Sequence, residues 1–260
     1  MGIRPVRGRM CPGSEEGETG MKKLGVIGGL GPMATALFMQ MVTEMTEAEV
    51  DQEHIEMLIH SCPHIADRTA YILDHTKTDP KPEMIRVGQG LAAQGAELIA
   101  IPCITANYFY TELEEGIHIP IINAIKETHR YLTERGIRSV GLMATSGTIE
   151  SGLFQKEFLS SDCSLVIPSP ERQQEVMHLI YKNVKANRPP QMELFGRVSE
   201  ELRAGGAEVI LLGCTELSVI REDHGIGGGY LDVMQLMAKC AVEACGRLKQ
   251  EYQELITGDR

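Results

Sequence analysis

Residues 95 to 103 read GAELIAIPC, and residues 206 to 214 read GAEVILLGC, the same phrase 111 residues later. Gly-Ala-Glu, an apolar run and a cysteine recur in one order with one spacing. A weaker echo relates GVIGG at 25 to 29 with GLMAT at 141 to 145, 116 residues apart, each an apolar run ending in a small-residue turn. Nearly equal offsets imply a duplicated unit. The chain should fold as two similar halves that present equivalent strand ends, and in open α/β sheets ligands bind beyond the carboxyl ends of strands. Two such halves would set those ends face to face.

The pattern between the echoes agrees. Apolar runs at Leu24–Ile27, Ile55–His60, Glu97–Ile101 and Ile119–Ile122 read as strands, separated by helical patterns at 34–47, 83–94 and 124–134. The second half repeats this with strands at Ser139–Met143, Ser164–Ile167 and Glu208–Leu212, helices near 152–159, 171–185 and 191–204, and a closing helix at about 231–252. Such alternation predicts an α/β protein of two pseudo-symmetric three-layer domains, each a mostly parallel sheet with helices on both faces. The division expected is 21–123 plus 231–260 for the first domain and 124–230 for the second, with the active site in the cleft between them.

The 260 residues are 43% hydrophobic and 23% charged, an ordinary globular composition. No apolar run approaches the roughly 20 residues that span a membrane. With 36 acidic against 25 basic side chains the net charge is −11, which repels nucleic acid and anionic lipid where no basic patch intervenes. Seven cysteines, an odd number spread over the chain, are unlike a secreted disulfide framework, and no signal segment opens the sequence. A reducing cytoplasm is expected. Residues 1–20 are rich in Gly, Pro and charge without periodicity, so a loose tail is expected there, with Cys11 outside the chemistry.

Cys103 and Cys214 each follow an apolar strand and precede a threonine, Thr105 or Thr215. A single cysteine in such a place would read as a small buried hydrophobe. Two at matching strand ends read as a pair of acid/base groups. Inverting a hydrogen-bearing stereocentre needs one group to remove the proton and another to deliver one to the opposite face. A thiol, with an ordinary pKa of about 8.5, can serve as either.

The turns beyond the strands supply backbone N–H groups and hydroxyls for an acid's carboxylates. Thr35, Thr145, Ser146, Thr148 and Thr215 stand near expected helix N-termini, where anions are favoured. Arg68, just after the loop that follows the second strand, could clamp a carboxylate through two hydrogen bonds. A surface ion pair with Asp67 or Asp74 is the alternative. Gly28-Gly29-Leu30-Gly31 lacks the G-x-G-x-x-G spacing of a dinucleotide site. Neither H-E-x-x-H nor C-x-x-C occurs, so metal catalysis is not expected, although His60 and His64 flank Cys62.

These residues resemble the aspartate/glutamate racemase superfamily, in particular its aspartate racemase-like branch. The resemblance runs from about Lys22 to Leu248. It is carried by Gly28-Gly29-Leu30-Gly31-Pro32-Met33-Ala34-Thr35, Asp67-Arg68-Thr69, Ile101-Pro102-Cys103-Ile104-Thr105-Ala106, Ala144-Thr145-Ser146-Gly147-Thr148 and Gly213-Cys214-Thr215-Glu216. It implies a homodimer of two-domain α/β subunits, no cofactor or metal, and proton transfer at Cα between Cys103 and Cys214. It also implies an acidic amino-acid substrate held by Met33, Thr35, Arg68, Ile104, Thr105, Thr145, Ser146, Thr148, Thr215 and Glu216.

One departure bears on the substrate. Where the family usually has Asn-Thr-Ala-His after the first cysteine, this chain has Ile104-Thr105-Ala106-Asn107. An amide that would meet the substrate's polar groups is replaced by a side chain that forms no hydrogen bonds. Aspartate is the first expected substrate, with glutamate or a broader set behind it. A related small dicarboxylic acid without an amino group, or binding without turnover, are the alternatives.

Overall fold

The computed structural model describes residues 21–159 and 162–258. The expected tail, 1–20, lies outside the described residues. Two parallel sheets form the frame. In the first, β1 (Leu24–Gly28) lies between β2 (Met57–Ser61) and β3 (Leu98–Ala100). In the second, β4 (Ser139–Met143) lies between β5 (Ser164–Val166) and β6 (Val209–Leu212), and β7 (Tyr230–Asp232) flanks β6. Strands β1, β3 and β6 are buried along their whole length and β4 from Val140 onward, as near-continuous apolar runs covered on both faces must be.

The duplication extends to the register. Leu24 pairs with Leu98 and Gly25 with Ile99 in one sheet, while Val140 pairs with Val209 and Gly141 with Ile210 in the other. These partners keep the two offsets of the sequence echoes. Gly95 and Gly206, which open the repeated phrase, share a φ of +94°, a backbone conformation open to glycine at little cost. The following alanines, Ala96 and Ala207, then pack against Gly25 and Gly141, where an added Cβ would lie 2.9 and 3.2 Å from theirs. The echo thus encodes one tight helix-to-strand turn, used twice.

Helices cover the sheets. In the first half these are α1 (Pro32–Met45), α2 (Arg68–Leu73), α3 (Lys81–Ala93) and α4 (Tyr110–Ile117). In the second they are α6 (Ser146–Ser151), α7 (Leu153–Phe158), α8 (Pro170–His178), α9 (Met192–Ala204) and α10 (Thr215–Asp223). Two further helices leave the last strand position of each sheet. Ile121 forms a parallel bridge to Ile99, and Asn123 caps α5 (Ala124–Glu134) by accepting from the Lys126 N–H. Tyr230 pairs with Ile210, and Asp232 caps α11 (Val233–Cys245) by accepting from the Met234 and Gln235 N–H groups. Helix α11 packs against α1 and α5, and α5 against α7, so both helices share one core between the sheets. No helix among the described residues is long and apolar enough to cross a membrane.

Several expected elements change. The strand at 119–122 reduces to the single bridge at Ile121. The helix at 171–185 breaks after His178 into a π-helical turn, Leu179–Asn183, and a 3₁₀ turn, Val184–Ala186. The closing helix begins with β7 and stops at Cys245, where Gly246 leaves helical geometry and the chain pairs back, Leu248 bridging Thr46. Position 231, the expected domain boundary, falls inside β7.

Candidate active site

The repeated cysteines occupy equivalent positions at the ends of equivalent strands. Cys103 caps a 3₁₀ turn (Ile104–Phe109) and Cys214 caps α10, both in extended conformation. The Cys103 carbonyl accepts from the Ala106 N–H at 3.0 Å, and the Cys214 carbonyl from the Leu217 N–H at 2.9 Å, again 111 residues apart. Both side chains line one cleft between the halves, and both are buried. Its free volume is about 10 Å³, room for no more than a single water. The halves are closed on each other.

Three hydroxyls join across this closure. Thr105, from the first half, lies 3.0 Å from Thr145 Oγ1 and 3.1 Å from Thr148 Oγ1, both from the second, and Thr145 and Thr148 are 3.2 Å apart. Thr145 also caps α6, accepting from the Thr148 N–H. All three are buried. Every hydroxyl can donate once and accept twice, so the triangle is self-satisfying and still has acceptor capacity to spare.

Charge enters from four side chains. Arg68, at the start of α2 and 5% exposed, donates through Nη1 to the Ile65 and Ala66 carbonyls and through Nη2 to the Leu30 carbonyl. Its Nε–H is buried without a hydrogen-bond partner. Burial opposes its charge, but the neighbouring Cys103 sulfur and Asp67 outweigh that and hold the guanidinium pKa above its ordinary value. Lys185, carried in by the 3₁₀ turn, places Nζ 3.8 Å from Asp67 Oδ2 and 3.8 Å from Glu216 Oε1, above the Tyr181 ring. Burial works against this ammonium too, yet Glu216 and the surrounding groups raise its pKa, so it is charged at neutral pH.

Asp67 caps α2 and accepts from the Tyr181 hydroxyl at 3.0 Å. Glu216 reaches back to the first half, where only the absence of a side chain at Gly31 admits it: a Cβ there would lie 2.8 Å from Oε1. Its Oε2 accepts from the Cys214 thiol at 2.9 Å, while Oε1 is buried without a hydrogen-bond partner. Burial, then the Glu216 charge, push the Cys214 thiol well above the ordinary range. Cys214 is therefore a protonated thiol at neutral pH.

A sequence model of the Asp/Glu/hydantoin racemase family matches residues 27–241. The chain belongs to that family. The family is one of cofactor-independent isomerases, and this racemase shares its two-sheet architecture. It is 30% identical to the aspartate racemase of Picrophilus torridus, with a TM-score of 0.79 over 89% of this chain and 98% of that one. It is 28% identical over 225 residues to the broad-specificity amino-acid racemase RacX of Bacillus subtilis, covering 84% of this chain and 96% of RacX. An aspartate racemase homologue from Pyrococcus horikoshii shares the fold at 22% identity, with a TM-score of 0.68 over 86% and 99% of the two chains.

In the racemase, the cleft brings together Cys103, Cys214, Arg68, Ile104, Thr105, Thr145, Thr215 and Glu216 of the residues singled out from sequence. Thr148 stands behind them in the threonine triangle. Three others lie elsewhere. Met33, on the outer face of α1, is 62% exposed. Thr35 closes the glycine turn, accepting from the Gly29 N–H at 2.8 Å and donating to the Gly31 carbonyl at 3.0 Å. Ser146 meets Gln173 and lines a neighbouring surface groove. Asn107 is occupied in supporting α5, donating to the Ile104 carbonyl and accepting from the Ala124 N–H. Sequence reading missed Lys185 and Tyr181, since neither sits at a strand end; their Tyr-x-x-x-Lys spacing on a helical pattern was the available signal.

Proposed function

We propose that the chain racemises aspartate, with Cys103 and Cys214 as the two acid/base groups. The observation that carries this reading is their equivalence: two thiols at duplicated helix-capping positions, buried in one cleft. A planar intermediate held between them would meet one sulfur on each face.

In this reading Cys103, beside the Arg68 guanidinium, acts as thiolate and takes the Cα proton from one enantiomer. The electron pair left on carbon delocalises into the α-carboxylate, whose growing negative charge faces the ammonium of Lys185 and the threonine hydroxyls. Cys214, protonated and buried, delivers its proton to the opposite face. The thiol and thiolate have then exchanged roles, and the reverse reaction starts from that state.

The charge pattern supports an acidic amino acid. Arg68 and Lys185 offer cationic contacts for carboxylates, Lys185 sharing its charge with Asp67 and Glu216, and the buried Arg68 Nε–H has no hydrogen-bond partner. Glu216 Oε1, ion-paired with Lys185 but without a hydrogen-bond partner, is an acceptor for an ammonium group, which compensates for Ile104 standing where an amide would help. A substrate without an amino group would leave that carboxylate oxygen unsatisfied.

The test is incubation with single enantiomers of aspartate, glutamate and neutral amino acids in D₂O. Racemisation with deuterium uptake at Cα, fastest for aspartate, is expected. Uptake with a dicarboxylic acid lacking nitrogen, and none with aspartate, would transfer the assignment to that substrate. Saturable binding without exchange would sink the enzymatic reading.

A further inference from the structure

Apart from the residues that line the cleft, three side chains of metal-binding type converge where the loop after β2 meets α3. Cys62 Sγ lies 3.3 Å from His64 Nε2 and 3.7 Å from Glu83 Oε1, and His64 Nε2 lies 3.5 Å from Glu83 Oε1. Among the described residues this is the one group of three such ligand atoms within reach of a common ion. None of the three lines the cleft.

The arrangement is wrong for a nucleophilic triad. There, a histidine uses one ring nitrogen for the nucleophile and the other for the orienting carboxylate. Here the carboxylate approaches Nε2 and the sulfur is nearer to Nε2, at 3.3 Å, than to Nδ1, at 3.9 Å, so the two contacts share one ring nitrogen. A tetrahedral zinc, with bonds of about 2.3 Å to sulfur, about 2.0–2.1 Å to nitrogen and about 2.0–2.2 Å to oxygen, separates its donors by roughly 3.3–3.7 Å. The three observed edges fall in that range.

The surroundings are built for such a role. Cys62 is held by its backbone, its N–H donating to the Gly28 carbonyl, and it packs so closely on Gly29 that a Cβ there would lie 2.4 Å from the Cys62 nitrogen. Glu83 is oriented by Arg86 through two hydrogen bonds, Nε donating to Oε2 at 2.9 Å and Nη2 to Oε1 at 2.6 Å, which leaves Oε1 its second lone pair for an ion. His64 is exposed, which opens the site to solvent.

We infer that Cys62, His64 and Glu83 form a binding site for a borderline-soft divalent cation, zinc in the first instance, with the fourth position open to water. Binding forms a metal–sulfur bond and releases the thiol proton to solvent. The bound ion would pin the loop after β2, the same loop whose Ile65 and Ala66 carbonyls hold Arg68 in the cleft.

The probe is Co²⁺, titrated anaerobically into the reduced full-length protein while thiolate-to-cobalt charge-transfer absorption is followed. One equivalent should produce the band, and excess Zn²⁺ should remove it. Cys62→Ser should abolish it, whereas Cys103→Ser and Cys214→Ser should retain it. His64→Ala, a surface change that leaves the core untouched, should weaken binding by more than about tenfold, since even outer-shell partners are worth about 10- to 100-fold. A band that survives Cys62→Ser, or disappears with either cleft cysteine, would overturn the site. So would absence of the band, or undiminished affinity in His64→Ala.

Discussion

The Cys214 thiol donates to the carboxylate of Glu216, two residues further along the chain, at 2.9 Å. Sulfur and carboxylate are both buried, so the negative charge acts on the thiol with little screening. After burial itself, it is the largest cause that keeps this thiol protonated.

Replacing Glu216 with Gln should therefore move the Cys214 titration down toward the ordinary thiol value. The rate of Cys214 alkylation against pH, read by peptide mass spectrometry, checks this. In the wild type, modification should begin only well into the alkaline range, and in Glu216→Gln it should begin at lower pH. Superimposable profiles would show that the carboxylate does not control the sulfur.

Stability should decline at alkaline pH. Burial raises Cys214 and brings Cys245 to about 11, whereas an unfolded thiol titrates near about 8.5. Below about 8.5 both states keep the proton and the contribution is fully present. Above it the unfolded chain loses protons that the folded one retains, at about 1.4 kcal/mol per pH unit per thiol, until the folded thiol titrates too. Urea midpoints under reducing conditions should fall between pH 8 and pH 10. A flat profile would contradict the assigned burial effects.

Cys103→Ser and Cys214→Ser should each reduce racemisation by about 10²- to 10⁴-fold, the usual worth of a positioned acid or base. The remaining thiol still faces one side of Cα, so the two variants should differ in which enantiomer they deuterate. Near-normal racemisation by either variant, measured by circular dichroism of the substrate, would refute the two-base reading.

Lys185→Met keeps the stem and removes the charge. If the ammonium meets a substrate carboxylate, losing that charged hydrogen bond is worth about 1.5–3 kcal/mol, roughly a ten- to hundredfold drop in kcat/KM. The neighbouring Lys182→Met, whose side chain lines the outer groove, should leave the kinetics unchanged. Equal effects from both would remove Lys185 from substrate binding.

Gly95→Ala and Gly206→Ala test the shared turn. At a φ of +94° an alanine should cost on the order of 1–3 kcal/mol at each site. Thermal melts should show similar losses for the two, because their surroundings are nearly open. A loss at one site alone would mean that the turns are not energetically equivalent.

The strands and the equivalence of two cysteines were legible because buried parallel strands are written as continuous apolar runs, and here written twice. The short helices α2, α6 and α10 were less so, since six to nine residues carry too little periodicity; Thr145 and Thr215 marked the starts of α6 and α10, and nothing marked α2. Proximity in sequence does not by itself place a side chain in the cleft. Met33 and Ser146 stand next to site motifs, but each helical step turns the side chain by about 100°, which takes them out of the cleft. Lys185 escaped notice for the opposite reason: a π-helical turn re-aims a segment far from any strand end.

The helices α5 and α11 give the closed cleft its mechanics. Each leaves the last strand position of one sheet, and α11 ends up against α1, the first helix of the other half, so the two units clasp one another like interlocked hooks. A fragment ending at residue 123 would lack α11 and bare Phe38, Met41 and Val42, which are buried in the intact chain. With about 10 Å³ of free space in the cleft, that clasp holds the site closed in this structure.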